Sequence, residues 1–165
     1  SAELMIKLED TRDPDMTVVV TGYQWKWHYA YQGEDVEFYS SLARPSAIAR
    51  QRGSGINPGA VDNYLLDVDR PLVVPRGAQV RVLLTSNDVL HSWWVPDFAI
   101  KKDAIPGFMN EETGVFRGQC AELCGMDHGY MPGVVEVVEP EEFQAWIAAE
   151  KGEETALASV TGEKK

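Results

Sequence analysis

The sequence predicts an all-β sandwich or barrel closed by a short C-terminal helix, and three observations carry that prediction. Short runs of β-branched and aromatic residues recur between residues 17 and 139, broken by Gly, Pro, Asn and Asp. Three such runs crowd into residues 64–86, a density typical of sandwiches and barrels. A helical spacing, Phe143, Trp146 and Ile147 at i, i+3 and i+4, follows the last of them. With 165 residues, 44% hydrophobic and 25% charged, the chain has material for one domain with one core.

Residues 1–16 are polar, carry Asp10, Asp13, Pro14 and Asp15, and read as a lead-in or linker. Residues 17–31 read as a strand. Alternation from Tyr23 puts Tyr23, Trp25, Trp27, Tyr29 and Tyr31 on one face and Gln24, Lys26, His28 and Ala30 on the other. So long an aromatic face is core, and His28, on the polar face, reads as solvated or hydrogen-bonded rather than as a ligand.

A second short strand covers residues 35–40 after the Gln32-Gly33 turn. Residues 41–62 turn polar and rich in Gly, Pro and Ala, a long loop with Arg44, Arg50 and Arg52 to which no chemistry is assigned. Strands are expected at 64–68, 72–75 and 79–86, the last leading toward His91. Trp93, Trp94 and Val95 are apolar, 101–107 is a polar turn with a basic step, and 114–119 is a strand feeding the next loop. Residues 133–139 close the sheet. Pro140 starts the helix with Glu141 and Glu142 at its positive end, and 151–165 read as a frayed tail.

The net charge of −11 argues against nucleic acid as a partner and favours a basic one. No apolar run approaches the roughly 18 residues that a membrane-crossing helix needs, and the first residues lack a signal peptide's apolar core, so the chain as written reads as soluble. No C-x-x-C-H haem-attachment motif is present.

The chemistry is concentrated in residues 119–132, Q-C-A-E-L-C-G-M-D-H-G-Y-M-P. Cys120, Cys124, His128 and Met131 fall within twelve residues, and their sulfur and imidazole donors favour copper over harder metals. Two thiolates four positions apart on one loop can both face inward and bridge two ions. Of the three histidines in the chain, His91, in the apolar segment L-H-S-W-W-V-P, is expected to complete the ligand set. A Cys120–Cys124 disulfide is the structural alternative. It would gain little chain entropy from so short a loop and would leave His128 and Met131 unexplained.

The string C-A-E-L-C-G-M-D-H-G-Y-M-P, preceded by Y-Q-W-K-W-H-Y-A-Y, H-S-W-W-V-P and D-A-I-P-G-F, resembles the extramembrane domain of subunit II of cytochrome c oxidase. The resemblance covers residues 17–150 and implies a cupredoxin-like Greek-key fold over that span, with a flexible tail at 151–165. It also implies a dinuclear copper centre, CuA. In that reading Cys120 and Cys124 bridge the coppers and His91 and His128 bind one each. Met131 offers a thioether to one copper and the Glu122 carbonyl binds the other, while the Glu122 side chain reaches a magnesium or manganese site facing subunit I. Trp25 would lie exposed over the copper as the point of electron entry, and Trp27 stays in the core.

The function implied is electron acceptance from cytochrome c and delivery to the haem of subunit I, within a proton-translocating haem-copper oxidase. The domain itself would carry electrons without catalysis. Its expected place is the periplasmic face of a bacterial inner membrane, or the equivalent intermembrane space, behind two membrane-spanning helices that would precede residue 1. Cytochrome c presents a lysine-rich rim, for which Glu34, Asp35, Asp67 and Asp88 are the candidate contacts. One departure stands out: the connection from His91 to Cys120 is about six residues shorter than the family pattern, near Glu112-Thr113-Gly114, a change that costs little in loop entropy.

Three other readings differ in testable ways. The CuA domain of nitrous oxide reductase comes with a large propeller. A C-x-x-x-C copper chaperone would lack the His and Met that follow the second cysteine, and the quinol-oxidase subunit would lack the copper ligands altogether.

Overall fold

In the computed structural model, which describes residues 13–98, 100–101, 108–109 and 113–162, ten strands build two sheets. The first contains β1 (Met16–Tyr23), β2 (Lys26–Tyr31), β3 (Val36–Ser40), β5 (Gln79–Ser86) and β8 (Phe108–Met109), in the order β3-β2-β1-β5-β8. The second runs β4 (Leu72–Pro75), β10 (Pro132–Val138), β9 (Gly114–Cys120), β6 (Trp93–Val95) and β7 (Ile100–Lys101). β1 pairs in parallel with β5, and β4 with β10. Parallel neighbours require crossovers, so the chain passes between sheets instead of winding as a meander. That traffic brings the segment around His91 against the end of β9.

Strand alternation supplies the core. Val18 and Val20 from β1, Trp27, Tyr29 and Tyr31 from β2, and Val80 and Val82 from β5 are buried against Leu72, Val74, Trp93, Val95, Val135 and Val137 of the second sheet. The Tyr31 hydroxyl joins the layers: it donates to the Val73 carbonyl at 2.7 Å and accepts from the Val73 amide at 2.9 Å, so no buried polar atom of that pair goes unmet.

Among the described residues two α-helices accompany the sheets, α1 (Arg44–Ala49) and α2 (Pro140–Gly162). In α2, Glu141 and Glu142 occupy the first turn, while Phe143 and Ile147 are buried and Trp146 packs on Tyr31 and Phe38 at centroid distances of 5.3 and 6.0 Å. The expected i, i+3, i+4 docking face is the one observed, but the helix continues well beyond residue 150. Among the described residues no helix is long and apolar enough to cross a membrane.

Three local expectations are corrected. Residues 17–31 form a hairpin, because the chain reverses at Gln24-Trp25 and Tyr23 pairs with Lys26. Pairing an odd residue with an even one shifts the alternation, so Tyr23 joins His28 and Tyr39 on the outer face while Trp27, Tyr29 and Tyr31 remain inside. Residues 41–62 contain α1, whose Pro45 sits in the first turn where a missing N–H costs nothing, and a 3-10 turn at Pro58–Ala60. Residues 64–68 are not a strand: Asn63 and Leu65 adopt φ of 49° and 63°, and pairing is confined to the bridge Leu42↔Val68. Of the expected turn at 101–107, Lys101 ends β7 and 102–107 lie outside the described residues; of the shortened stretch near Glu112-Thr113-Gly114, residue 112 lies outside them and Gly114 opens β9.

Candidate metal centre

The loop of interest joins β9 to β10, whose antiparallel pairing holds its ends together, Gln119 opposite Pro132. The Cys120 amide donates to the Met131 carbonyl at 3.0 Å, closing the loop at its base. Two further attachments fold it over the sandwich. β6 pairs with β9 so that Trp93 lies opposite Cys120, and the Ala121 amide donates to the Ser92 carbonyl at 2.8 Å. The residue before Ser92 is His91, which is therefore delivered to Cys120 by strand pairing.

The donors converge. Cys120 Sγ and Cys124 Sγ are 3.7 Å apart, His91 Nδ1 is 3.8 Å from Cys120 Sγ, and His128 Nδ1 is 3.6 Å from Cys124 Sγ. The donor atoms of His91, Cys120 and Cys124 all lie within 4.8 Å of one another. Both cysteines are buried and free, at a separation far beyond the roughly 2.05 Å of a disulfide. The Cys120 thiol also donates to the Glu122 carbonyl at 3.3 Å, which brings that oxygen to the same cluster, while the Glu122 residue itself is exposed. Met131 is buried in the core cluster that contains both cysteines. Two thiols with an imidazole nitrogen beside each are a soft-to-borderline donor set that suits copper. Burial, and then the neighbouring Cys120, push the Cys124 thiol up to about 12, so a metal bound as thiolate displaces protons.

Sequence reading missed what orients His91. Its Nε2 faces Asp88 Oδ1 at 2.9 Å, leaving Nδ1 turned to the sulfur. Hydrogen bonding of the distal nitrogen to a carboxylate is how proteins fix the tautomer of a metal-binding histidine. Asp88 also accepts from the Gln24 amide at 2.7 Å and the Val89 amide at 2.6 Å. Desolvation works to raise its carboxyl, but these amides and His91 outweigh it and hold the group below the usual carboxylate range. Asp88, a docking candidate by sequence, is exposed and its carboxylate also bonds His91.

Gly22 was missed too. A Cβ there would lie 2.6 Å from Cδ2 and 2.7 Å from Cγ of His91, a ring already held by Asp88 on one side and by Trp27, at 5.8 Å between centroids, on another. Gly22→Ala is expected to lower copper affinity at least about tenfold with strand content unchanged, as overpacking displaces the imidazole. A competition titration returning wild-type affinity would show that the ring has room to move.

Trp25 sits in the β1–β2 turn beside the loop. Its indole N–H and the Gln24 side-chain amide both donate to the Cys124 carbonyl, at 3.3 and 2.8 Å. Trp25 is partly buried, its ring packed on the loop at Gly125, where a φ of 116° favours glycine and an added Cβ would sit 3.3 Å from the ring.

The remaining acidic candidates are not brought to this end together. Glu34 and Asp35 lie in the β2–β3 turn, at the other end of β2 from Trp25, about 20 Å away for a strand of this length. Glu34 is paired with Lys151 at 2.7 Å and Asp67 with Arg117 at 3.7 Å. His28 stands apart on the outer face, 3.7 Å from Glu37.

A β-sandwich that buries two adjacent thiols between two imidazoles, on the hairpin loop at one end of its sheets, is a cupredoxin-like metal-binding domain. A family model described as "Cytochrome C oxidase subunit II, periplasmic domain" matches residues 16–138. The chain belongs to that family. It is 40% identical to a probable cytochrome c oxidase subunit 2 of Rickettsia bellii over 96% of its length, and 40% identical to cytochrome c oxidase subunit 2 of Cereibacter sphaeroides over 97%. It spans 60% and 57% of those relatives. Among solved structures it is similar to the periplasmic domain of subunit II (CoxB) of Bradyrhizobium japonicum, with a TM-score of 0.73 and 37% identity over 87% of this chain and 98% of that one. It is also similar to a structure of a mixed disulfide between the thioredoxin-like TlpAs and subunit II of cytochrome c oxidase, with a TM-score of 0.67 and 37% identity over 87% of this chain and 96% of that one.

Proposed function

We propose that this domain is the electron-accepting module of a cytochrome c oxidase, taking electrons from cytochrome c at a dinuclear copper centre and passing them to the haem of subunit I. The observation that carries it is the pair of thiols 3.7 Å apart, each with an imidazole nitrogen beside it at 3.8 or 3.6 Å. Cys120 and Cys124 would bridge, His91 and His128 would bind terminally, and Met131 and the Glu122 carbonyl would supply the weak positions. A copper pair held by these residues would supply one-electron chemistry.

The chain's own residues do the rest. Asp88 holds the His91 tautomer, and the buried surroundings of Trp27, Trp93 and Met131 keep water away. Trp25 bonds directly to the carbonyl of a bridging cysteine, which joins a surface ring to the ligand loop by one contact. Around the loop Leu90, Leu123 and Met126 are exposed, an apolar rim suited to a small, short-lived redox encounter. The acidic charge of the whole chain, rather than Glu34 or Asp35, would steer a basic partner. The exposed Glu122 side chain is the candidate for a magnesium or manganese contact at subunit I. A relative caught in mixed disulfide with a thioredoxin-like protein supports a further reading, that the free cysteines here meet such a partner before copper is loaded.

The test is copper(II) addition to protein whose thiols have been reduced and the reductant then removed, with metal analysis and EPR of the oxidised, loaded chain. Two coppers per chain and a seven-line mixed-valence signal are expected, with proton release on loading; a four-line signal or none rejects the dinuclear reading. Electron transfer from cytochrome c should then slow as salt rises, and independence of ionic strength would remove the steering argument.

A further inference from the structure

Residues 41–62 show no chemistry in the sequence, yet one of their side chains grips the metal loop. Arg50, at the C-terminal end of α1, donates from Nη2 to Asp127 Oδ2 at 2.8 Å. Its Cζ also lies 3.9 Å from the centroid of the Tyr130 ring. Asp127 and Tyr130 bracket His128: the three belong to a 3-10 turn at His128–Tyr130 with Asp127 as its N-cap. An N-cap aspartate ordinarily folds its carboxylate back onto the turn's own amides. Asp127 makes no such bond and gives the carboxylate to Arg50 instead.

The turn has little else to fix it. Its backbone bonds are His128 N to Gly125 O at 3.2 Å and Tyr130 N to Asp127 O at 2.9 Å, both internal to the loop. An arginine suits the task, because its planar fork can bond a carboxylate and stack on an aromatic ring at once, which a lysine ammonium does less well. Both charged side chains are about three-quarters shielded, at 24% and 30% exposure, so the pair is less screened than a surface one. α1 does not depend on this contact for its own placement. The Ala43 amide donates to the Asp67 carbonyl at 2.9 Å, and the Ser46 hydroxyl accepts from the Leu65 amide at 3.0 Å.

We infer that Arg50 is a positioning residue for the copper ligand His128: by holding Asp127 and Tyr130 it sets where the imidazole meets Cys124. The inference rests on the copper reading above. An arm from a distant segment thus tunes one of the two imidazoles, while Asp88 orients the other.

The experiment uses the whole chain with Arg50→Ala, Arg50→Lys, Asp127→Asn and the Arg50→Ala/Asp127→Asn pair. Copper loss to an excess of chelator is expected to quicken about tenfold in Arg50→Ala and Asp127→Asn, and less in Arg50→Lys. The double variant should be no worse than the singles, as for two halves of one contact. The mixed-valence optical bands and EPR hyperfine pattern should shift, a change that a purely structural tie would not cause. In the metal-free protein, amide exchange at His128 and Tyr130 should rise about tenfold while Val135, in β10, is unchanged. Wild-type copper retention, spectrum and exchange in folded Arg50→Ala would overturn the proposal. Should that variant fail to fold, Arg50→Lys and Asp127→Asn decide it by the same readouts. A wild-type chain that takes up no copper overturns the dinuclear reading and this one together; normal loading with unchanged variants overturns this one alone.

Discussion

Cys124→Ser is expected to abolish the paired-copper signature and to cut metal content from two ions per chain to at most one. Cys124 Sγ is the atom that stands within 3.7 Å of the other thiol and 3.6 Å of His128 Nδ1, so its loss strands an imidazole as well as a bridge. A serine hydroxyl stays protonated at neutral pH and is a hard donor, poorly matched to copper. The affinity loss should exceed the roughly 10–100-fold that removal of a ligand's supporting partner costs. Because burial keeps the wild-type thiol protonated up to about 12, loading must expel protons, and wild-type affinity should fall as pH drops. Metal analysis and EPR read the outcome. Two coppers with a seven-line signal in the serine variant would mean that Cys124 is not a bridge.

The second large effect is on the fold. A Cβ at Gly118 would lie 1.9 Å from the Trp94 carbonyl oxygen and 2.9 Å from Val95 Cα, which is backbone against backbone with no rotamer to give way. Gly118→Ala should therefore push β6 off β9, costing about 3 kcal/mol or more and lowering the melting temperature by roughly 6–12 °C in the metal-free chain. The same strand pairing delivers His91, so copper affinity should fall with stability. An unaltered thermal melt would show that the two strands have more freedom than their spacing indicates.

These two glycines, 22 and 118, mark the limit of the sequence reading. The cysteines, histidines and methionine announce themselves by donor type and spacing, and the aromatic alternation of residues 27–31 places the core face where it is found. Nothing in a lone glycine says that an imidazole or a strand backbone lies against it. Asp88 is a similar case: as a sequence letter it is one more acidic residue in an acidic chain, and its bond to His91 exists because the Asn87–Leu90 bend folds back on the ring. Residues 64–68 mislead in the opposite direction. Their apolar letters resemble a strand, but left-handed backbone at Asn63 and Leu65 turns the chain instead.

Composition and local order by themselves pointed to the class of fold, to a soft-metal donor set in residues 120–131 and to His91 as its partner, since periodicity and donor type are properties of neighbouring letters. Tertiary structure alone decided how the donors meet and what holds them. The crossover that seats β6 beside β9, the carboxylate behind His91, the turn that brings Trp25 to the Cys124 carbonyl and the reach of Arg50 across to Asp127 all join residues far apart in the chain. Such contacts follow from strand register and close packing in three dimensions, which spacing along one dimension does not encode.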